Sequence, residues 1–459
     1  MNIRDLVLSV VIFGLLPVCI WRPWIGIIAW YWLGLMSPHR LTWSYGFNMP
    51  YAMLIGGATL VGVLLAKDRK PVPWNGPLTL MAVLLAYFVL TTVFAWSVSV
   101  AWPEWIKVAK IILMTFVAAM FIYGKERIRV LMLTIVLSLG FYGVKGGVFT
   151  IMKGGAHRVE GPENTFIGGN VGLGVGLCMV LPLILCMAKE ETRPWFKRLL
   201  YAMAALTFIS VIFTYSRGAY LGLATVSVLL LLQMRSKLLG IMCLIGAIAV
   251  GPFLLKDQVI QRAELIENYE QDASANQRLQ SWTVAWNVAL ESPLTGAGFD
   301  FENFPDDNRW MTYGDRKYDR YLTHSSAAHS IYFQILGQHG FVALGLFLAM
   351  LFGTLRGLKR IRAAGRVNPN AAWLGNYAAA LRIGFMGYMV SGAFISMAYF
   401  DLAYLYIVLL AIFARELRQI NATAQPKSRQ VASANWPRQV TVSQQPAAFV
   451  RGPRGQEHT

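Results

Sequence analysis

Long apolar runs recur along this chain, and they decide what it can fold into. A helix needs roughly 20 residues to cross the ~30 Å hydrocarbon core of a bilayer. Runs of about that length occur at residues 78–96, 106–123, 166–188, 196–214 and 238–255. Hydrophobic residues make up 56% of the chain and charged residues only 14%, which is too apolar for a soluble protein of 459 residues. The sequence therefore predicts an all-α polytopic membrane protein with about 12 to 13 transmembrane helices.

The net charge of +18 is unevenly distributed, which argues against a nucleic-acid-binding protein. Residues 256–328 hold 12 of the 23 acidic residues but only 7 of the 41 basic ones, a net charge of −5. Much of the remaining basic excess lies in short loops between apolar runs, such as residues 67–70 and 356–366. Lysine and arginine stay preferentially on the cytoplasmic side. The pattern therefore predicts cytoplasmic basic loops and one large extracytoplasmic loop, 256–328.

Three regions are predicted along the chain. Residues 1–126 form an N-terminal membrane region, in which Pro23 separates two short apolar segments. Residues 127–415 form a membrane core that includes the large loop. Residues 416–459 are polar and rich in Gln, Ala, Pro and Arg, a composition typical of a disordered cytoplasmic tail.

The large loop is too long to be a simple connection, and loops of this length are usually functional. Residues 276–292 have the apolar spacing of an amphipathic helix. Trp282 and Trp286 lie on its apolar face, so we expect this helix to lie against the membrane surface.

One histidine stands where the large loop meets the next membrane helix. His329 begins the run AHSIYFQILGQHGFVALGLFL, and an ionisable residue at such a border is a candidate functional group. A helix N-terminus disfavours a protonated imidazole, so His329 is predicted to be neutral and able to act as a base. Tyr332 lies one helical turn further along the same face and is predicted to contribute to substrate binding. A helix-capping or interfacial role for His329 is the alternative.

Three arginines are predicted on the same side of the membrane as His329. Arg158 lies in HRVEGPENTF, Arg217 in YSRGAYLGL and Arg278 at the start of the loop helix. Guanidinium groups bind phosphate oxygens bidentately, so these residues indicate a phosphate-bearing substrate. The alternatives are snorkelling to the interface for Arg217, a pair with Glu160 for Arg158, and a pair with Glu270 or Asp272 for Arg278.

Together these residues suit a reaction on a lipid-linked phosphate. The arginines would hold a pyrophosphate leaving group, and His329 would take the proton from an acceptor hydroxyl. The loop carboxylates Asp300, Glu302, Asp306 and Asp307 lack the spacing of an EF-hand. No metal and no cofactor is therefore predicted.

The stretches SRGAYLGL, NQRLQSWTVAWNVALESPLTGAG and AHSIYFQILGQHGFVALGLFL, in this order, resemble the O-antigen ligase and polymerase superfamily. The N-terminal stretch RPWIGIIAWYWLGLMSPHRLTWSYGFNMPYA is similar to the O-glycosylation ligases of exosortase-associated systems. The combined resemblance covers residues 1–415.

The resemblance implies a multi-pass glycosyltransferase of the GT-C type in the bacterial inner membrane. Such enzymes move a glycan from undecaprenyl pyrophosphate to a protein or lipid acceptor on the periplasmic side, without a metal. Arg217 and Arg278 match the arginines assigned to the pyrophosphate, and His329 matches the base. Arg158 matches a basic position in the loop before an asparagine-containing span.

Three other functions remain open at this point. A polymerase of the same superfamily would join glycan repeat units. A flippase or transporter of lipid-linked glycans would require charged residues near the bilayer midplane and access from both sides, and the chain shows no convincing internal repeat. A non-catalytic scaffold would not require His329.

Overall fold

A computed structural model shows the architecture, and it describes residues 3–233, 273–303, 307–317 and 325–424. This part of the chain is α-helical and contains no strand, which confirms an all-α polytopic membrane protein. The helices are α1 Ile3–Trp21, α2 Pro23–Met36, α3 Tyr51–Leu65, α4 Gly76–Val93, α5 Val98–Phe121, α6 Gly124–Met152, α7 Gly169–Glu190, α8 Pro194–Ile212, α9 Arg217–Leu231, α10 Ala273–Glu291, α11 Asp307–Thr312, α12 Ile331–Val367, α13 Ala372–Ser391 and α14 Asp401–Ala424.

Six of the described helices are long and apolar enough to span a membrane, namely α1, α4, α6, α7, α8 and α12. The helices α2, α3 and α9 are apolar but shorter. Large apolar side chains face outwards, among them Val7, Leu64 and Val93. A soluble protein does not expose apolar surface on this scale, whereas a lipid-facing surface is apolar. The predicted span 238–255 lies outside the described residues.

The described chain up to Leu417 belongs to one compact unit, and Arg418–Ala424 at the end of α14 belongs to a second. Pro23 ends the first helical segment as predicted, because its ring cannot continue α1 but fits the first turn of α2.

Two predicted loops are wrong in detail. The apolar runs 78–96 and 106–123 imply a connection between them, but residues 98–105 are the first turns of α5, where Trp102 stacks on Trp105 at 5.0 Å between ring centroids. The predicted basic loop 356–366 is the last part of α12. Lysine and arginine are good helix formers, and there Gly365 packs closely against Gly375 of α13, which keeps this segment helical.

The basic loops gather at one end of the helical bundle. Arg127 pairs with Asp68 at 3.4 Å, and Arg129 pairs with Glu191 at 2.6 Å. These pairs join loops that are separated by about two membrane crossings in the sequence. This end corresponds to the cytoplasmic side of the predicted topology.

The opposite end collects the remaining loops. The Val159 amide donates to the Phe213 carbonyl oxygen at 2.8 Å, and the Trp96 amide donates to Ala297 at 2.9 Å. The first bond joins the loop 153–168 to the α8–α9 connection, and the second joins the α4–α5 connection to the large loop. Thr165 and Asp300 line one cavity, so these loops share one end of the bundle.

This arrangement yields a topology prediction. We expect alkaline phosphatase fused after Asp307 to be active, and green fluorescent protein fused after Ala424 to fluoresce, because the charge pattern predicts that the two positions lie on opposite sides of the membrane. Reciprocal fusions, with the reporters exchanged, serve as the control and should be silent. Activity of the same reporter at both positions would contradict the topology and remove the periplasmic site.

A break in α12 positions the end of the large loop. Gly340 has φ 76° and ψ −174°, a conformation open essentially only to glycine. The Phe341 amide, freed by the break, donates to the Pro293 carbonyl oxygen at 2.8 Å. In return, the amides of Ala297 and Gly298 donate to the carbonyls of residues 337 and 338, both at 2.9 Å. The segment 293–298 is thereby fixed onto the break.

Candidate functional site

His329 lies immediately before α12, in a left-handed backbone conformation with φ 46°. Its amide donates to Ser396 Oγ at 2.8 Å, which ties it to the loop between α13 and α14. Burial lowers the pKa of the His329 imidazole, and the nearby positive charge of Arg278 lowers it further. The expected neutral imidazole therefore rests on burial and on a neighbouring cation, whereas the sequence argument had assigned it to the helix terminus.

Arg278 reaches the neighbourhood of His329 because α10 packs against the start of α12. Trp282, one turn after Arg278, donates from Nε1 to the Ala328 carbonyl oxygen at 2.8 Å. Its ring stacks on Phe333 at 5.0 Å with an interplanar angle of 9°. Trp282 thus packs against protein, while Trp286 is 47% exposed. The ion-pair partners predicted for Arg278 as the alternative, Glu270 and Asp272, lie outside the described residues.

Arg217 is the exposed first residue of α9. The helix begins there because Ser216 caps it, accepting the Ala219 amide at 3.3 Å. Gly218 packs against Phe394, which belongs to the same loop as Ser396. The start of α9 and the residue before α12 therefore border one loop, residues 392–396.

Arg158 and Tyr332 have other surroundings. Arg158 Nε lies 3.7 Å from Glu160 Oε1, and both side chains are more than half exposed, so the predicted surface ion pair is present. Arg158 also lines a crevice of about 610 Å³ beside α6, and none of its described contacts joins it to His329. The Tyr332 hydroxyl donates to the Met389 carbonyl oxygen at 2.8 Å, which links α12 to α13.

A cavity of about 450 Å³ opens at Ser396, the residue that accepts from the His329 amide, and His329 itself is not among the lining residues. The cavity is lined by Ser396 and by residues 325–327, which directly precede Ala328 and His329 in the chain. Its walls come from α5, the loop before α7, the end of the large loop, α12 and the α13–α14 loop. Polar side chains dominate the lining: Glu104, Lys107, Thr165, Asp300, Glu302, Asn303, Ser325, Ser326, Gln334, Gln338, Ser396 and Tyr399, together with the aromatic rings of Phe166 and Phe299.

A buried hydrogen-bonded chain runs from this cavity into the bundle. Gln338 Nε2 lies 3.4 Å from Glu302 Oε2, and the Tyr399 hydroxyl donates to Gln338 Oε1 at 2.5 Å. The Tyr399 oxygen lies 2.8 Å from His339 Nε2, and His339 Nδ1 lies 2.7 Å from Thr91 Oγ1. Because Tyr399 donates to Gln338, we assign the imidazole proton to Nε2, so that Nδ1 accepts from Thr91.

The sequence reasoning missed this chain of residues. His339 carried a signal, because an ionisable residue within an apolar run is a candidate functional or structural centre. Nothing in the sequence distinguishes Glu302 from the eleven other acidic residues of the large loop. Within the described residues, no group of three or more His, Cys, Asp or Glu side chains is arranged to hold a metal ion.

Comparison with known families bears on these same elements. Residues 202–348 match the family model described as O-Antigen ligase. This match supports the O-antigen ligase superfamily that the sequence motifs resemble. Residues 3–192 match a family of unknown function, DUF5935. No curated protein matches the chain.

The O-antigen ligase region, residues 202–348, contains Arg217, Arg278, His329 and Tyr332, whereas Arg158 lies in the region of unknown function. The region also contains Glu302, Gln338 and His339. A membrane role like that of an O-antigen ligase is therefore supported for the elements that surround His329. The domain boundaries predicted from the sequence stay a prediction.

Proposed function

We propose that this protein is a glycosyltransferase of the bacterial inner membrane that transfers an oligosaccharide from undecaprenyl pyrophosphate to a hydroxyl group of a protein or lipid. The reaction takes place on the periplasmic face and needs no metal. The observation that carries the proposal is the neighbourhood of His329. Burial and the charge of Arg278 lower the pKa of the His329 imidazole and so keep it neutral. Both residues lie within the region that matches the O-antigen ligase family.

The chemistry follows from the roles of these side chains. The acceptor oxygen attacks the anomeric carbon of the glycan, while the bond from that carbon to the pyrophosphate oxygen breaks. His329 takes the acceptor proton, a role worth roughly 10²–10⁴ in rate. Arg217 and Arg278 neutralise the charge that develops on the departing pyrophosphate, because the guanidinium fork matches its oxygens.

Two further residues have supporting roles in this proposal. Arg158 guides the anionic donor from the exposed loop at the periplasmic end, where its ion pair with Glu160 is solvent-accessible and readily exchanged. Tyr332 holds the start of α12 against α13 through Met389, and thereby fixes the backbone that carries His329.

The test uses full-length protein in proteoliposomes with lipid-linked oligosaccharide extracted from the host membrane. Transfer to a protein or lipid is read by mass spectrometry of the acceptor. Lengthening of the lipid-linked glycan would instead identify a polymerase. Movement of the donor across the bilayer without bond formation would identify a flippase, and either result would reject the ligase.

The roles proposed for Arg217 and Arg278 predict that replacing either arginine weakens donor binding. We expect Arg217→Lys and Arg278→Lys each to raise the donor KM by about 10-fold or more, because a charge-assisted bidentate contact worth about 1.5–3 kcal/mol is lost while the charge is kept. Arg316→Lys is the matched control, an exposed arginine at the same end of the bundle, and should leave the donor KM unchanged. Parent-like donor KM values in both site variants, and in the alanine variants, would refute the assignment.

A further inference from the structure

We infer that the cavity at Ser396 is a sugar-binding subsite, which holds a neutral hexose unit through Glu302, Asp300 and the surrounding hydroxyl and amide groups. The inference rests on the proposed function, because the sugar belongs to the glycan donor or to a glycosylated acceptor. From either source the ligand is a pyranose ring with several hydroxyl groups.

The charge of the cavity disfavours a phosphate as its occupant. The only cation among the described residues that line the cavity, Lys107, pairs with Glu104 at 3.0 Å, which leaves the carboxylates of Asp300 and Glu302 without a lining cation. An anionic pyrophosphate would be repelled there, whereas carboxylates accept strong hydrogen bonds from hydroxyl groups. The arginines assigned to the pyrophosphate are not among the lining residues. Donor phosphate and sugar are thereby assigned to two different places.

The size and walls of the cavity fit a sugar. A volume of about 450 Å³ lies within the range of small-molecule sites, about 300–1,000 Å³. The half-buried ring of Phe166 contributes aromatic surface, against which the C–H face of a pyranose would pack. Ser325, Ser326 and Ser396 supply hydroxyl groups that donate and accept. A set of convergent polar groups beside an aromatic ring is typical of a site that orients its ligand.

Glu302 is the central group of this subsite. Its side chain is almost fully buried, with 7% of the residue exposed, and it borders the cavity. The Gln338 amide at 3.4 Å is at the long end of hydrogen-bonding distance. Burial raises the pKa of Glu302 to about 7, and the negative charges of Asp300 and Glu104 add to this effect. A sugar hydroxyl that donates to Glu302 would compensate the cost of keeping its charge in this environment.

Gln338 fixes the orientation of Glu302. Its amide oxygen accepts from Tyr399, so the amide nitrogen must point towards the carboxylate. Tyr399 is in turn held by His339, which contacts α4 through Thr91. Gln338, the side chain that contacts the carboxylate, is thus itself held through Tyr399 and His339, which favours a defined orientation of the site.

Binding to neutral disaccharides tests this inference without turnover. The full-length protein is placed in lipid nanodiscs free of maltoside detergent, whose headgroup is itself a disaccharide. Saturation-transfer NMR is recorded with maltose, lactose and cellobiose, and with inorganic phosphate as the contrasting probe. We expect saturable binding of at least one disaccharide, and no competition by phosphate.

Two variants localise the binding. Ser326→Trp fills the cavity from an irregular segment and should abolish the signal. Glu302→Gln keeps the shape and should weaken binding about 5- to 10-fold at pH 8. Between pH 6 and pH 8 the affinity of the parent should rise, because Glu302 ionises across this range, whereas the affinity of Glu302→Gln should stay constant. Glu163→Gln, an exposed carboxylate on another loop at this end, is the control.

Transfer kinetics identify the source of the sugar. A higher KM of Glu302→Gln for the lipid-linked donor assigns the subsite to the donor glycan, and a higher KM for the acceptor assigns it to the acceptor. Disaccharide binding in a protein that performs no transfer would retain the subsite and reject the proposed reaction. Transfer with no disaccharide binding and an unchanged KM would reject the subsite and retain the reaction.

Discussion

The His329→Ala variant is expected to transfer glycan roughly 10²–10⁴ times more slowly than the parent, with donor binding nearly intact. Burial and the charge of Arg278 lower the pKa of His329, so the parent imidazole is unprotonated at neutral pH and ready to accept a proton. Alanine removes that acceptor. The hydrogen bond from residue 329 to Ser396 Oγ uses only the backbone N–H of residue 329, so the variant retains this contact with the α13–α14 loop. Single-turnover transfer and donor binding are the measurements.

Glutamine at position 329 separates catalysis from structure. Glutamine keeps a hydrogen-bonding side chain of similar length but cannot take a proton at neutral pH. We therefore expect His329→Gln to be as slow as His329→Ala. His157→Gln changes an exposed histidine at the same end of the bundle and should transfer at the parent rate. Transfer by His329→Gln at the parent rate would make His329 a structural residue.

The pH profile gives a second check on the same residue. A base is active when unprotonated, so activity rises with pH through the pKa of His329. Because that pKa is lowered, the acid limb should lie below the ordinary imidazole value of about 6.5. Arg278→Gln removes one cause of the shift and should move the acid limb upwards. An acid limb unaffected by Arg278→Gln would contradict the coupling of the two residues.

Gly340→Ala is expected to have the second largest effect, a loss of roughly 3 kcal/mol or more in stability. A β-carbon at this position would lie 2.4 Å from the Pro293 carbonyl oxygen, and the φ of 76° is unfavourable for alanine. The Phe341 amide would lose its partner when Pro293 is displaced. Because the segment 293–298 leads directly into Asp300 and Glu302, disaccharide binding should be lost as well.

The same helix offers a matched control for this change. Gly345 is helical, and a β-carbon there would meet nothing within 4 Å. Gly345→Ala should therefore preserve or slightly raise the apparent melting temperature, since alanine favours the helix by about 1 kcal/mol. The comparison is made by thermal unfolding in nanodiscs. Equal melting temperatures for the two variants would contradict the strained break at Gly340.

The sequence by itself determined the class of the protein and most of its membrane helices. The run 78–96 became α4 Gly76–Val93, and Pro23 separated α1 from α2 as expected. Length, apolar composition and proline geometry are local properties, so a single chain reveals them. The loop helix 276–292 was also predicted closely, and the structure shows it as Ala273–Glu291. Arg278 and His329 are predicted site residues because an ionisable group at a membrane border is conspicuous in a sequence.

Only the tertiary structure decided which groups surround the cavity. Thr91 and His339 are 248 residues apart, and Tyr399 lies a further 60 residues along the chain. The burial that changes the pKa of Glu302 depends on α5, α12 and the α13–α14 loop packing around it. In the sequence, Gly340 is an ordinary glycine within an apolar run. Only the structure shows that the helix breaks there and that the Phe341 amide binds the Pro293 carbonyl oxygen. Hydrogen bonding and desolvation act over a few ångströms in space, and a linear sequence carries no record of those distances.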